Sequence, residues 1–362
     1  MMERKGTAEL PLHPGHAPKW LFKRMVKLSG EIVRIIGMEY GLDEVLRRLS
    51  DPYWFQAFSC VIGFDWHSSG TTTVTMGALK EALKVDDGIV VVGGKGATSR
   101  RTPQEIEIFG EKLGLSSWKI EKLKKISRLA AKIDNAALQD GYQLYHHTMV
   151  LEEHGKWAIV QQGLNEERRY ARRYHWLYGI KSMVNEPHSG IISDSIEKVV
   201  LDMTSKKSEE ARKISVDLVN DGIEHLKGMV IEVKNARQRT LDDFSPYRRL
   251  RMPWSINWKA LFEAYEIHPT NYEELIGIKG IGPSTVRALA YIAEVIYGSP
   301  PSWKDPVKYS FALGGKDGVP KPVDRKAYDK SIEILQLTIE EAKLDKREKL
   351  KMLQRLRKFV PP

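Results

Sequence analysis

The chain of 362 residues carries 57 Lys plus Arg against 47 Asp plus Glu, a formal net charge of +10. That excess fits a polyanionic partner, nucleic acid above all, although solubility alone also accounts for a basic surface. The single cysteine, Cys60, excludes an internal disulfide and any four-thiolate metal or iron–sulfur site, and a reducing compartment follows.

The opening MMERKGTAELPLHPGHAP has no apolar core of signal-peptide length, and no stretch approaches the roughly 20 apolar residues that a membrane span needs. The expectation is a cytoplasmic, nucleoid-associated protein without a membrane partner. From Pro18 to about Tyr40, apolar residues recur at helical spacing until Gly41 stops them. Asp51-Pro52 opens YWFQAFSCVIGFDWHSSG, apolar enough to require burial, and GIVVVGG at 88–94 reads as a buried strand. Helical periodicity returns from Pro103 to Leu138, after which YQLYHHTMVLEE and KWAIVQQG flank His154-Gly155 as a β-hairpin. Past Asp194 the text reads as all-helical, with one long helix from Ser208 to Arg237.

The fold class expected is therefore α+β: mainly helical, with a small mixed or antiparallel sheet in the N-terminal half. The organisation expected is an α+β domain over 1–205, a helical connector over 206–246 and a helical domain over 247–362.

Within that last part, LIGIKGIGPSTVRALAYIAEVIYG (275–298) places a glycine-rich turn between two helical stretches. Pro283 suits the first helical turn, where its missing N–H costs nothing, and Ser284 and Thr285 help satisfy the free donors there. Glycine at 280 and 282 permits positive φ and removes the Cβ atoms that would hold off a large anion. Bare amides near Ile281 at a helix N-terminus suit a phosphate oxygen. With Lys279 and Arg287, these residues form the expected DNA-binding set. The stretch, about 272–298, resembles the helix-hairpin-helix motif, whose hallmark is Gly-hydrophobic-Gly between short helices; a plain helical corner with glycines for close packing is the alternative. A hairpin of this kind grips phosphates without reading bases.

The resemblance extends to base-excision glycosylases carrying this motif, in which a Gly/Pro-rich stretch leads to a catalytic Asp. Here, within about 314–335, Pro322-Val323-Asp324-Arg325 precedes helical text, which makes Asp324 the catalytic candidate and Asp305 a nearer competitor; an insertion, WKDPVKYSFALGGKDG, lengthens the spacing. A carboxylate there stabilises oxocarbenium character and orients water, while the same residue also suits a helix N-cap. Bifunctional members carry Lys two residues past the second glycine, where this chain has Ser284. Monofunctional hydrolysis is the simpler implication, with Lys279, Lys326 or Lys95 left as alternative amines.

In the N-terminal half, FDWHSSG and GGKGATSRR are polar, glycine-rich loops. Asp65, Trp66, His67, Lys95 and Gln161, or Gln162, form the expected pocket for an extruded base, against the alternative that the aromatics are core. GGKGATSRR lacks P-loop spacing, so no nucleotide cofactor is expected. ERRYARRYHWLYG (167–179) mixes Arg with flat rings, suited either to a DNA strand or to a solvated amphipathic helix. The ten histidines show no metal spacing; neither metal nor cofactor is expected, and His146 and His147 should point to opposite faces of a strand.

Taken together, GTAELPLHPGH, FDWHSSG, GGKG, DGYQLYHH, VQQGLN, ARRYHWL, EPHSG and YSFALGGKDGVPKPVDR resemble an archaeal and bacterial family first described as domain of unknown function 763. The resemblance implies excision of oxidised pyrimidines, 5-hydroxyuracil in particular, from double-stranded DNA containing a damaged base. Two rival readings stand beside it. One is a structure-specific endonuclease using Glu232-Val-Lys234 with Asp221 upstream; the other is a DNA-binding protein without chemistry.

Overall fold

The structure, a computed structural model, describes residues 18–63, 69–168, 170–193, 196–239 (234–239 as backbone only), 250–253, 255–307, 335–340, 349–350 and 352–354. It is an α+β fold around a five-stranded antiparallel sheet. The strands are β1 (Ile89–Lys95), β3 (Gln143–Glu152), β4 (Trp157–Asn165), β5 (Tyr170–Leu177) and β6 (His188–Ile192), adjacent in that order. The hairpin expected around His154-Gly155 is β3–β4, with Leu151 opposite Trp157 and His147 opposite Gln161.

Because successive side chains alternate between faces, each strand sends one set of residues into each of two cores. Val91, Val150, Val160 and Ala158 meet Ile36, Leu46, Phe55 and Phe58. These come from α1 (Lys19–Tyr40), α2 (Leu42–Leu49) and α3 (Pro52–Ile62), with α4 (Gly70–Ala82) beside them. Val92, Met149, Ile159 and Trp176 meet Ile106, Leu123 and Leu129 on the other side, from α6 (Thr102–Lys112) and α7 (Ser117–Lys132), which follow the single-turn α5 (Ala97–Arg100). The same core continues through Val219, Val233, Leu261, Leu289 and Ile292. Those residues belong to α8 (Glu209–Asn220), α9 (Ile223–Arg239), α10 (Trp258–Ile267) and α12 (Pro283–Val295), with α11 (Tyr272–Gly277) between the last two. A sheet covered on both faces explains why β1 reads as a nearly unbroken apolar run rather than as alternation.

Local signals explain several boundaries. The Asp51 carboxylate accepts from the Tyr53 and Trp54 amides to start α3, with Pro52 in the first turn. Ser116 caps α7 in the same way by accepting from Lys119 N.

Three expectations are corrected. The Arg- and Tyr-rich stretch at 167–179 is not a solvated helix: it holds β5, and Arg172 and Arg173, 0% exposed, are not available to a DNA strand. The helix expected from Ser208 to Arg237 breaks at Asp221-Gly222 into α8 and α9. Strand pairing also persists past Asp194, since β7 (Leu201–Asp202) pairs with β2 (Leu138–Gln139) and Asp202 bridges to Ser302. No helix among the described residues is long and apolar enough to cross a membrane.

A buried Arg is tolerated only with partners. Arg172 donates to Asp140 Oδ2 at 2.9 Å and to both oxygens of Asp305 at 3.0 and 2.8 Å, beneath the ring of Tyr142. Asp305 also accepts from the amides of Glu197 (2.6 Å) and Val307 (3.1 Å). Replacing Arg172 with Met strands two buried carboxylates, so the expected loss in urea-denaturation stability is about 3–5 kcal/mol. Asp140→Asn and Asp305→Asn in the same chain should restore most of it.

Candidate nucleic-acid interface

The turn between α11 and α12 is fixed from three directions. Asn257, which caps α10 by accepting from Ala260 N (3.1 Å), donates through Nδ2 to the Gly280 carbonyl at 3.2 Å. Lys132, at the end of α7, donates to the Ile278 carbonyl. The Ile281 side chain is buried beneath the turn. At its entrance, Asn271 Oδ1 accepts from Glu274 N (3.0 Å), while the Glu274 carboxylate accepts from Thr270 N and Oγ1 (2.8 and 2.9 Å), a reciprocal cap.

The two glycines have different reasons. Gly280 has φ +90°, and a Cβ there would lie 2.8 Å from Ala260 Cβ and 2.9 Å from Asn257 Nδ2, so the fold itself demands glycine. Gly282 is extended, with φ −123° and ψ −172°, and a Cβ would meet only the Gly280 carbonyl at 3.9 Å. The expectation of positive φ thus holds at 280 and is corrected at 282.

The bare amides also lie elsewhere than expected. Ile281 N donates to the Ile278 carbonyl at 3.3 Å. Val286 N already bonds the Gly282 carbonyl, Pro283 has no N–H, and no side chain caps α12 among the described residues. The donors left at this helix start are therefore the amides of Ser284 and Thr285.

Of the expected DNA-binding set, Lys279 and Gly280 are exposed, Gly282 and Ser284 are half-buried, and the Thr285 side chain is buried. Arg287 is held from below: it donates to Gln139 Oε1 at 2.9 Å and to the Arg251 carbonyl at 3.1 Å. Gln139 in turn donates to the Pro283 carbonyl at 2.8 Å. Arg287 thus braces the start of α12 against β2.

Asp324, Asp65, Trp66 and His67 lie outside the described residues. Lys95 is exposed at the end of β1, 5.8 Å from the Tyr145 ring centroid. Gln161 is fully buried, donating to Asp134 Oδ2 (2.6 Å) and accepting from His147 Nδ1 (2.7 Å). Since Gln161 Oε1 faces Nδ1, that nitrogen carries the proton and His147 Nε2 accepts from the Ser127 hydroxyl at 2.8 Å. Asp134 also takes His188 Nε2 and Trp176 Nε1. No hydrogen bond or ion pair among the described residues links Lys95 or Gln161 to the α11–α12 turn.

On the opposite face of the sheet, Gln162 joins Thr72, Tyr145 and the Ser69 carbonyl, beside His146. These two polar rows are absent from a motif-based reading. Their signal is nonetheless in the sequence: His146-His147 and Gln161-Gln162 are mirror positions about the hairpin centre, so antiparallel pairing must set them opposite one another.

The glycine run at 93–96 also has an internal explanation. Gly93 takes φ +87°, and a Cβ there would lie 2.3 Å from the His147 carbonyl oxygen. Its amide donates to Glu105 at 2.7 Å, and its carbonyl accepts from Lys80 at 2.7 Å.

The geometry defines a protein built on a helix-sheathed antiparallel sheet, with a glycine-fronted helix start that no side chain caps among the described residues. The chain matches, over residues 6–323, the family described as "Protein of unknown function (DUF763)" and belongs to it. No curated protein and no solved structure matches.

Gly280→Ala should lower unfolding free energy by about 1–3 kcal/mol from the left-handed backbone alone, measured by urea titration. A second expectation concerns acid. Burial, aided by the charges of His147, Lys95 and Lys80, pushes the His146 pKa down to about 3. A depressed histidine gives stability that is present above its unfolded pKa and lost as pH falls through about 6.5. His146 should account for about 2 kcal/mol of the loss between pH 7.5 and pH 5, and His146→Gln should remove that portion from the pH–stability curve.

Proposed function

We propose that this protein is a DNA glycosylase: it holds duplex DNA at the α11–α12 turn, used as a helix-hairpin-helix, and removes an oxidised pyrimidine with Asp324. The observation that carries the reading is Gly282. Its own fold gives no reason for glycine there, since its backbone is extended and a side chain would have room. The residue directly precedes α12, whose Ser284 and Thr285 amides are the donors a phosphate oxygen would take, and glycine adds no side chain there. The neighbouring Lys279 is exposed, and the net charge of +10 favours the same ligand.

The catalytic assignment rests on the resemblance and on one exclusion. Asp305, the competing carboxylate, is sealed against Arg172 and two backbone amides and is not available to a substrate. Asp324 remains, in the segment that resembles the glycosylase pattern. It would support the positive charge that develops at the sugar carbon and align water for attack. Ser284 at the lysine position of bifunctional enzymes favours hydrolysis without strand nicking. Extruding the base costs a few kcal/mol, less at a damaged pair, so lesion choice arises partly from the weakened pairing itself.

The endonuclease reading is weaker. Glu232 is exposed on α9, a helix, whereas a Glu-x-Lys nuclease core needs these residues on paired strands.

Duplexes each carrying one altered base, incubated with the protein and then analysed with and without alkali, test the assignment. Cleavage that appears only after alkali is the expected result, and Asp324→Asn should abolish it while retaining duplex binding. Gly282→Ala should weaken binding at unchanged melting temperature. A fully active Asp324→Asn protein would refute the catalytic assignment, and inertness toward every modified base would refute the glycosylase.

A further inference from the structure

Helix α7 shows a feature that the turn does not need. Trp118, Lys122, Lys125, Arg128 and Lys132 follow one another at steps of four, three, three and four residues, which at 3.6 residues per turn sets them along one side of the helix. Its opposite side, through Ile120, Leu123 and Ser127, is buried. Trp118 is 69% exposed, and Lys122, Lys125 and Arg128 are exposed.

Surface charges on a helix are commonly matched by neighbouring acids, and that is so for one lysine here. Lys124 takes both nearby glutamates, Glu121 at 2.6 Å and Glu107 at 3.2 Å. Lys122, Lys125 and Arg128 form no ion pair among the described residues; Lys122 lies instead over the Trp118 ring at 5.0 Å. Glu274, on α11, is held low chiefly by its bonds from Thr270, with the charge of Lys125 adding to the effect. The stripe is thus a row of cations whose local acids are already engaged.

The row also has a direction. Its last member, Lys132, donates to the Ile278 carbonyl in the α11–α12 turn, and α7 packs against α11. The stripe therefore begins beside Ile278, next to Lys279 in the same turn, and runs outward from there. The fourteen steps from Trp118 to Lys132, at a rise of ~1.5 Å, give a length of about 21 Å, close to the axial advance of roughly six nucleotides of one strand at ~3.4 Å each.

Building on the reading of the turn as a phosphate grip, we infer that the outer face of α7 is a second, sequence-independent DNA-binding track. In it Lys122, Lys125 and Arg128 contact successive phosphates of a duplex held at the turn, and the Trp118 ring lies against the sugar–phosphate chain at the far end. Lys132 has a different part: tied to Ile278, it fixes the angle between track and turn.

Counterion release makes the track measurable without knowing the lesion. The probe is a labelled, lesion-free duplex of about two helical turns, roughly 21 base pairs, titrated with the full-length protein across a range of salt concentrations. Each phosphate contact contributes about 0.9 to the slope of log affinity against log salt. The variant Lys122→Gln/Lys125→Gln/Arg128→Gln should flatten that slope by about 2 to 3, and Lys122→Arg/Lys125→Arg/Arg128→Lys should preserve it. All the substituted positions are exposed, so both variants should melt like the parent. If the triple glutamine variant melts early, the single substitutions, each expected to flatten the slope by about 0.9, decide the question. An unchanged slope in the glutamine variants, with Gly282→Ala still weakening binding, would overturn the track and leave the phosphate grip standing. A parent protein that ignores the duplex in dilute buffer would overturn both.

Discussion

A guanidinium ion with no access to water is the constraint around which this structure is organised. Arg172 lies within β5, and desolvating such a group costs several kcal/mol unless its donors are met by charge. They are met by Asp140, in the loop after β2, and by Asp305, some 130 residues later in the chain. Asp305 can serve only if the strap around it is drawn back onto the sheet, which its bonds from the Glu197 and Val307 amides and the bridge between Asp202 and Ser302 accomplish. One buried charge thus fastens the chain that follows α12 to β5, an inner strand of the sheet.

That fastening bears on the surface. The start of α12 is braced by Arg287 and Gln139 on one side, and the turn before it by Asn257 and Lys132. Each brace reaches from a different element, so the donors of Ser284 and Thr285 are held at fixed positions rather than on a loose loop. A phosphate bound there, as proposed, would find its hydrogen-bond geometry already set and avoid much of the ordering cost that weakens recognition by flexible segments.

The parts of this architecture that follow from local rules were legible in the sequence. The β3–β4 hairpin, the Asp51-Pro52 helix start, the buried strand GIVVVGG and the stop at Gly41 each depend on a few adjacent residues, and all are present. What escaped depends on partners distant in the chain. ARRYHW has the composition of a nucleic-acid-binding stretch, and only the remote carboxylates Asp140 and Asp305 turn Arg172 into a core residue. The two glycines of GIG are identical as text, yet Gly280 is dictated by Ala260 and Asn257 while Gly282 is not. Gln161 looked like a reader of bases, but the structure places it in a buried relay from Ser127 to Asp134.

On the proposed reading, the distribution of polar groups separates the two tasks that a glycosylase has to combine. A grip on phosphates has to be blind to sequence, so it belongs on helix starts and long cations at the surface, where α7 and α12 provide both. Recognition of an altered base requires groups shielded from water, where an unmet hydrogen bond is expensive. Neighbouring positions of β3 and β4, with His146, Gln162 and Tyr145 beside Ser69 at the start of α4, hold shielded polar side chains. If the proposed function holds, affinity supplied by the first region would be uniform along DNA, and discrimination would come from interactions made after a nucleotide has left the helix.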